Sequence, residues 1–327
     1  MERESLPWMM TIILMAVILT AGITYYLSTL QREKRTLVVS TTTSLYDTGL
    51  LEAIEERFES KYSIDLYFIS VGTGLAIQHA ERGDADVILV HAPSKELMFL
   101  KEGYGVNRKI IAYNFFVIVG PSSDPARTRG LNVKEALTRI VNAGRAGNAS
   151  WISRGDESGT HTKEKELWAY AGFNWAQLKE EAWFIESGSG MGKTLLIADE
   201  KGKYTLSDIG TYLKYFKDGR IRLEALIGED ERLINVYSVI AVNPTKVQGV
   251  NFEDAITFIK FLISDECQSL IESYKKDVYG RSLFYSAVKL LKENTNPEIA
   301  QWIRNYAFFN DSECPPQYRH GHPELYG

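Results

Sequence analysis

Beyond residue 35, short β-branched runs alternate with segments that carry apolar residues at helical spacing, and the alternation continues along most of the chain. Strands that alternate with helices predict βαβ units and a parallel sheet. The predicted strands are residues 36–40, 64–71, 85–92, 114–120, 149–153, 182–186 and 236–242. The predicted helices are residues 50–58, 160–171, 192–199 and, as one or two helices, 252–271. The pattern therefore predicts an α/β protein.

Length and charge limit the class of protein. The chain has 327 residues, enough for two ordinary domains, and 45% of them are hydrophobic, so a sizeable core can form. The 42 acidic residues outnumber the 37 basic ones, which gives a net charge of −5. Nucleic-acid binders show a basic excess or stripe, so this balance argues against such a partner. An anion would need a local binding site, because the overall field of the protein repels it.

The N-terminal segment, residues 1–35, contains an apolar run over residues 6–30 without a charged side chain. About 20 residues suffice to span a bilayer, so the run predicts either a signal peptide or an uncleaved membrane anchor. No convincing cleavage site precedes Gln31, which favours the anchor. Basic residues are more frequent after the run than before it, and the positive-inside rule would then leave the remaining chain in the cytoplasm. The binding function inferred below requires the opposite orientation.

Two features could suggest a metal or a nucleotide, and neither matches its motif. Cys267 and Cys314 are too few for a metal-binding cysteine cluster, and the sequence leaves open whether they form a disulfide or remain separate thiols. The segment 187–194 is similar to a phosphate-binding P-loop, but Ser187 stands where the motif requires its first glycine. We therefore predict no cofactor and no metal ion, and no enzymatic activity.

Three loops at the predicted ends of strands carry groups that suit an anion. The first contains five consecutive hydroxyl residues, 40–44, where a strand gives way to a helix. Hydroxyls and free backbone N–H groups at the start of a helix form anion sites. An ordinary helix cap would also contain serine or threonine, but five hydroxyls exceed what a cap needs. Thr42, Thr43 and Ser44 are therefore candidate ligand-binding residues.

The second loop, residues 71–74, joins a strand to a helix through Gly72 and Thr73. Glycine lets a ligand approach the backbone closely, although the same sequence is typical of an ordinary tight turn. The dinucleotide fingerprint is not met, because Ile77 stands where its third glycine is required. Gly72 and Thr73 are thus candidates for contact with a ligand other than a dinucleotide.

The third loop, residues 153–161, contains Arg154, whose planar fork of donors suits an oxyanion. Ser158, Gly159 and Thr160 follow at the predicted start of a helix. The acidic pair between them and Arg154 either holds the arginine in place or consists of acids favoured in a first helical turn. Open α/β sheets bind ligands at the carboxyl ends of their strands, so the three loops together predict one anion site.

A family resemblance rests on these loops and on two later segments. The motifs are Thr-Thr-Thr-Ser at 41–44, Val-Gly-Thr-Gly at 71–74, Ser-Arg-Gly-Asp at 153–156, Ser-Gly-Thr-His at 158–161, Met-Gly at 191–192, Tyr-Thr-Leu-Ser-Asp at 204–208 and Gly-Thr-Tyr at 210–212. With them, the chain resembles the tungstate-binding proteins of ABC transporters over about residues 37–286. The resemblance implies that Thr42, Thr43, Thr73, Arg154 and Thr160 contact the oxyanion, and that an ABC permease and an ATPase are partners.

The same resemblance implies a type II periplasmic-binding-protein fold, in which two α/β lobes joined by two crossover strands capture the ligand between them. The implied division is lobe one at 36–116 and 239–291, lobe two at 117–238, hinge strands at 114–119 and 235–240, and a C-terminal tail at 292–327. The resemblance also implies that the protein lies outside the cytoplasm, either held on the extracytoplasmic face of the membrane by its N-terminal helix or located in the periplasm.

The ligand can be narrowed by proton chemistry. Tungstate and molybdate are fully ionised dianions near neutral pH and need only donors, whereas phosphate retains a proton that a buried carboxylate can accept. The loops are rich in donors, so we expect tungstate or molybdate, which are too similar in size and charge to be told apart here. The alternatives are a phosphate- or sulfate-type oxyanion binder, the ligand-sensing domain of a membrane receptor, and a phosphotransferase that uses the glycine-rich loop near Lys193.

Overall fold

The structure, a computed structural model, describes residues 5–30 and 35–326. Its first element is helix α1 (Ser5–Leu30), which covers most of the predicted N-terminal segment. Among the described residues, no helix is both long and apolar enough to cross a membrane. Residues 1–4 and 31–34 of the predicted anchor lie outside the described residues, and membrane attachment stays a prediction from the sequence.

The remaining elements alternate as the sequence predicts for an α/β protein. The strands are β1 (Arg35–Thr42), β2 (Ile64–Val71), β3 (Val87–Val90), β4 (Gly105–Gly120), β5 (Trp151–Ser153), β6 (Phe184–Glu186), β7 (Thr205–Asp208), β8 (Glu224–Ile227), β9 (Ile234–Val242) and β10 (Tyr285–Ser286). The helices after α1 are α2 (Thr43–Tyr46), α3 (Leu50–Lys61), α4 (Thr73–Arg82), α5 (Pro93–Lys101), α6 (Val133–Arg145), α7 (Gly159–Tyr170), α8 (Trp175–Leu178), α9 (Met191–Lys201), α10 (Ile209–Lys217), α11 (Phe252–Leu262), α12 (Asp265–Ser273), α13 (Lys276–Tyr279), α14 (Val288–Glu293) and α15 (Pro297–Ala307).

Lobe one is built on a sheet with the strand order β2-β1-β3-β9-β4-β10. β1 pairs in parallel with β2 and β3, whereas β9 runs antiparallel to both β3 and β4. Parallel neighbours need a crossover connection, which α3 and α4 supply. Leu51, Ile54 and Phe58 recur at helical spacing along α3, so one face of this helix is buried in the lobe-one core.

Lobe two is built on the second part of β4, which pairs antiparallel with β7 and β8. β5 and β6 form a parallel pair beside this sheet, linked to it by a bridge between Trp151 and Tyr204. Trp151 and Trp168 are both buried and meet edge to face, with ring centroids 5.0 Å apart. Several further aromatic side chains, among them Trp183 and Phe184, belong to the same core.

Two strands connect the lobes. β4 pairs with β9 as far as Phe115 and with β7 from Phe116 onward, and β9 begins at Ile234, opposite Phe115. This is the predicted α/β fold with two crossover strands. Residues 236–238, which the sequence assigned to lobe two, pair within the lobe-one sheet. The exact lobe boundaries therefore stay a proposal.

The described part of the C-terminal tail, residues 292–327, packs on lobe one, and its helix α15 also contacts α7 of lobe two. Nη1 of the buried Arg108 on β4 donates to the carbonyl oxygen of Glu313 at 2.7 Å, which ties the tail to the sheet. Cys267 and Cys314 are both buried and unpaired. Of the two possibilities left open by the sequence, the structure therefore has separate thiols and no disulfide between them.

Candidate functional site

The three predicted loops each lie at the carboxyl end of a strand and at the start of a helix. Thr42 ends β1, and Thr43 begins α2. Gly72 lies between β2 and α4, and Thr73 is the first residue of α4. The third loop follows β5 and leads into α7. The arrangement brings groups from both lobes to the gap between them.

Arg154 lies where these loops meet and is buried, with 1% of its surface exposed. Its Nε donates to Oδ2 of Asp156 at 3.1 Å, which orients the guanidinium group. Nη1 donates to the hydroxyl oxygen of Thr160, and Nη2 donates to that of Thr43, each at 3.3 Å. Because a guanidinium group can only donate, both threonine hydroxyls are acceptors here and keep their own protons for another acceptor. Thr43 belongs to lobe one and Thr160 to lobe two.

The second loop meets the third across the gap between the lobes. A Cβ on Gly72 would lie 3.3 Å from the carbonyl oxygen of Asp156 and 3.5 Å from Cα of Ser158, so a side chain here would press the loops apart. The neighbouring hydroxyl of Thr73 is buried and has no hydrogen-bond partner among the described residues. A buried hydroxyl without a partner is unfavourable. Thr73 therefore has a donor available for a ligand.

The other predicted hydroxyls form hydrogen bonds within the protein. Oγ of Ser158 accepts from the backbone N–H of His161 at 3.1 Å and so caps α7. Oγ of Ser44 lies 3.4 Å from Nε2 of His91 and 3.3 Å from Oγ1 of Thr42. All three predicted loops thus come together, but the hydroxyls of Thr42, Ser44 and Ser158 form hydrogen bonds that hold the loops in shape.

Two titratable side chains lie here that were not among the predicted site residues: His91 after β3, and Asp208 at the end of β7, which belongs to the 204–208 motif of the resemblance. Burial lowers the pKa of His91 to about 4, and the charge of Arg154 acts in the same direction, so the ring is neutral near pH 7. A Cβ on Gly159 would lie only 2.6 Å from Nε2 of this ring. Burial raises the pKa of Asp208 to about 6 against the opposing effects of its hydrogen bond from Thr211 and of Arg154. Oδ2 of Asp208 has no hydrogen-bond partner in the described part of the chain.

The lobes touch along the edge of the site. Nζ of Lys95 on α5 donates to the carbonyl oxygen of Glu157 at 2.8 Å, and Oγ1 of Thr211 on α10 donates to that of Ser44 at 3.5 Å. These contacts leave Arg154 buried between the lobes. Hydrogen bonds are stronger in such an environment, because the local dielectric constant is lower than that of water.

The glycine-rich turn that starts at Ser187 lines the site through its backbone. Oγ of Ser187 and Oγ1 of Thr194 are 2.8 Å apart, and Oγ1 of Thr194 also donates to the carbonyl oxygen of Gly190. A Cβ on Gly190 would lie 3.6 Å from Oγ1 of Thr43, so the turn approaches lobe one closely. Lys193, by contrast, is exposed to solvent.

Comparison with known proteins gives the family. A family model described as a PBP superfamily domain matches residues 28–266. The chain belongs to this superfamily. Among the relatives of this PBP superfamily member is the tungstate-binding protein TupA of Peptoclostridium acidaminophilum, which is 39% identical over 254 residues, 77% of this chain and 85% of the relative.

Two solved structures are similar to the chain over nearly their whole length. The tungstate-binding protein TupA from Desulfovibrio alaskensis G20 is 40% identical, with a TM-score of 0.65 over 77% of this chain and 99% of that one. The tungstate ABC transporter protein from Geobacter sulfurreducens is 42% identical, with a TM-score of 0.65 over 73% and 98%. Within the PBP superfamily, the chain is thus a member of the TupA family, which confirms the resemblance and the two-lobed fold predicted from the sequence.

The site residues of this PBP superfamily member that were not predicted differ in whether the sequence gives any signal for them. His91 and Asp208 each occur at or just after the end of a buried strand, which is the position that identified the other loops. Asn235, whose Oδ1 lies 2.8 Å from Nδ1 of His91, is an isolated polar residue inside β9. Only the tertiary structure brings it to the site.

Proposed function

We propose that the protein is an extracytoplasmic solute-binding protein that captures tungstate or molybdate between its lobes and delivers it to an ABC importer. The observation that carries this proposal is the guanidinium group of Arg154, which is held between the hydroxyls of Thr43 and Thr160 from opposite lobes. The unpartnered hydroxyl of Thr73 adds a further donor. Membership of the TupA family, with relatives named as tungstate-binding proteins, supports the same ligand.

A tetrahedral dianion suits this set of groups. Arg154 can supply charge-assisted hydrogen bonds, and the backbone N–H groups at the starts of α4 and α7 add partial positive charge. Asp156 pairs with Arg154 and offsets part of its charge, so the arrangement of donors matters more than net charge. A site rich in donors favours an anion that carries no proton of its own, as tungstate and molybdate do near neutral pH.

Asp208 supports one alternative, an oxyanion of the phosphate type. Oδ2 of this buried carboxyl group has no partner among the residues that the structure describes, and the group interacts electrostatically with Arg154. An ionised carboxylate could accept the proton that phosphate retains, whereas a protonated one would donate to a dianion. Asp208→Asn separates these cases, because it removes the negative charge and replaces one acceptor oxygen with an NH2 donor, while the remaining oxygen can still accept from the N–H of Thr211. Phosphate binding should then be lost and tungstate binding retained.

The proposal assigns binding rather than catalysis to the protein, with no cofactor. Its partners are the permease and ATPase subunits of an ABC importer. Its N-terminal segment directs the protein to the outer side of the membrane and is then either kept as an anchor or cleaved off. A phosphotransferase that used the glycine-rich turn would lose turnover in Lys193→Ala. A binding protein in which Lys193 is exposed should keep its affinity in that variant.

Isothermal titration calorimetry of the full chain in mild detergent tests this function directly. Tungstate, molybdate, sulfate and phosphate are titrated in turn. We expect tungstate and molybdate to bind at least about 100-fold more tightly than the other two ions, which corresponds to about 2.7 kcal/mol. Sulfate or phosphate binding as tight as that of tungstate would contradict the assigned ligand. Binding of none of the four would contradict the function itself.

A further inference from the structure

His91 contacts both crossover strands and the first loop, residues 40–44. Its ring is 1% exposed and stacks with Phe116 on β4 and with Tyr237 on β9, whose ring centroids are 6.0 Å and 4.9 Å away. Nδ1 lies 2.8 Å from Oδ1 of Asn235 on β9, and Nε2 lies 3.4 Å from Oγ of Ser44. A single buried side chain thus contacts both strands that link the lobes and the loop that contains Thr43.

A chain of hydrogen bonds determines which ring nitrogen carries the proton. The carbonyl oxygen of Leu283 only accepts, so the group 3.1 Å from it is Nδ2 of Asn114, and Oδ1 of Asn114 faces Asn235. Nδ2 of Asn235 donates to that oxygen at 2.8 Å, so Oδ1 of Asn235 faces His91 and can only accept. The imidazole proton therefore lies on Nδ1, and Nε2 is an acceptor.

This tautomer fixes the direction of the hydrogen bonds in the first loop. Because burial lowers the pKa of His91 to about 4, Nε2 keeps its lone pair near pH 7. Ser44 donates its hydroxyl proton to Nε2, and Thr42 then donates to Oγ of Ser44 at 3.3 Å. Of the three candidate hydroxyls at 42–44, those of Thr42 and Ser44 are therefore committed to the protein, and Thr43 is the one whose proton is left for a ligand.

Lobe two reaches the same ring through Gly159, the first residue of α7. A Cβ at this position would lie 2.6 Å from Nε2 and 2.7 Å from Cε1 of His91, closer than van der Waals contact allows. Any side chain at residue 159 would therefore hold the lobes apart. The start of α7, which carries Thr160, can approach lobe one because this residue is glycine.

We propose that His91 is a positioning residue that couples the crossover strands to the anion site: its Nδ1–H tautomer holds the loop of Thr42 to Ser44 in its binding geometry, and its Nε2 edge is the surface on which lobe two closes. The inference rests on the proposed function, because it assigns His91 a role in closure around an oxyanion. A histidine that only filled space in the core would leave closure and the proton position unconstrained.

Three variants of the full chain separate these roles. His91→Phe keeps an aromatic ring between the two crossover strands but removes both nitrogen contacts. Gly159→Ala adds the Cβ that meets the ring and leaves lobe one unchanged. His79→Phe is the matched control, because Nδ1 of His79 also contacts the first loop, at 3.2 Å from Oγ of Ser40, near the opposite end of α4 from Thr73.

Tungstate affinity is measured by calorimetry and closure by small-angle X-ray scattering. We expect the dissociation constant to rise at least about tenfold in His91→Phe and Gly159→Ala, because apparent affinity falls with the fraction of protein that can close. Both variants should contract less than the unmodified chain when tungstate is added. His79→Phe should stay within about twofold of the unmodified chain. Unchanged affinity and contraction in both test variants would overturn the proposal.

A measurement of the ring itself does not depend on the ligand. In ¹⁵N NMR spectra of the full chain labelled at histidine, His91 should show a protonated Nδ1 and an unprotonated Nε2, and Ser44→Ala should shift the Nε2 signal. A proton on Nε2 would overturn the assigned tautomer and hydrogen-bond directions even if tungstate binds. If the unmodified chain binds no oxyanion, the proposed function and the closure role both fail, and this spectrum still decides the tautomer of His91.

Discussion

Replacing Arg154 with alanine removes the group around which the proposed site is organised. The guanidinium spans the hydroxyls of Thr43 and Thr160 with two N–H groups, each at 3.3 Å, and can offer the same fork to one oxyanion. A hydrogen bond to a charged group contributes about 1.5–3 kcal/mol, so two contribute about 3–6 kcal/mol. The dissociation constant for tungstate should therefore rise between about 150-fold and about 20,000-fold.

Two further variants show whether the fork or the charge matters. Arg154→Lys keeps the positive charge and loses the planar fork, so its affinity should fall between those of alanine and arginine. Arg145→Ala is the control, because Arg145 lies in the same lobe, pairs with Glu181 and has a side chain 53% exposed. Exposed pairs contribute about 0–1 kcal/mol, so this variant should bind almost normally. The dissociation constants for tungstate are measured by calorimetry on the folded variants. A dissociation constant of Arg154→Ala within tenfold of that of the unmodified chain would refute the role of the guanidinium group.

Three other predictions concern single side chains. Thr73→Val removes a buried hydroxyl that has no hydrogen-bond partner among the described residues. The melting temperature should therefore stay the same or rise, while tungstate affinity falls about twofold to tenfold. A lower melting temperature would show that the hydroxyl has a structural role. Burial raises the pKa of Asp208 in the folded protein to about 6 from its ordinary value of 3.8, so its contribution to stability is fully present below pH 3.8 and is lost as the pH rises through 6. Urea unfolding across this range should show a weaker pH dependence in Asp208→Asn, and an identical dependence would contradict the assignment. Arg108→Ala leaves the carboxylate of Glu96 buried without its ion-pair partner, because both side chains are 0% exposed. The free energy of unfolding, measured by guanidinium titration, should fall by about 3–5 kcal/mol. A loss below about 1 kcal/mol would contradict this prediction.

The three loops could be predicted because their chemistry is contiguous in the chain. Residues 40–44 and 153–161 each place hydroxyls or an arginine between a strand pattern and a helix pattern, and parallel sheets bring such loops together. The resemblance to the tungstate-binding family rested on the same residues. The sequence alone does not indicate which hydroxyls face the ligand, because the hydrogen bonds that engage Ser44 and Ser158 inside the protein form only in the folded chain.

Features that depend on distant partners were not predictable. β4 was predicted as residues 114–120 but begins at Gly105, because the polar residues 107–109 interrupt the apolar pattern of a buried strand. Their burial depends on contacts such as that of Arg108 with the carbonyl oxygen of Glu313, 205 residues along the chain. Buried charged residues require partners of this kind, and local sequence does not reveal them. The contact of His91 with Asn235, across 144 residues, was missed for the same reason.

The most direct test of the central claim is a crystal structure of the protein soaked with tungstate, with diffraction data collected at a tungsten absorption edge. The anomalous map locates the metal atom without reference to any assumed site. We predict a single strong peak between the lobes, in contact range of Arg154, Thr43, Thr73 and Thr160 through the oxygen atoms of the anion. A peak elsewhere on the molecule, or none at a concentration that saturates calorimetric binding, would contradict the account.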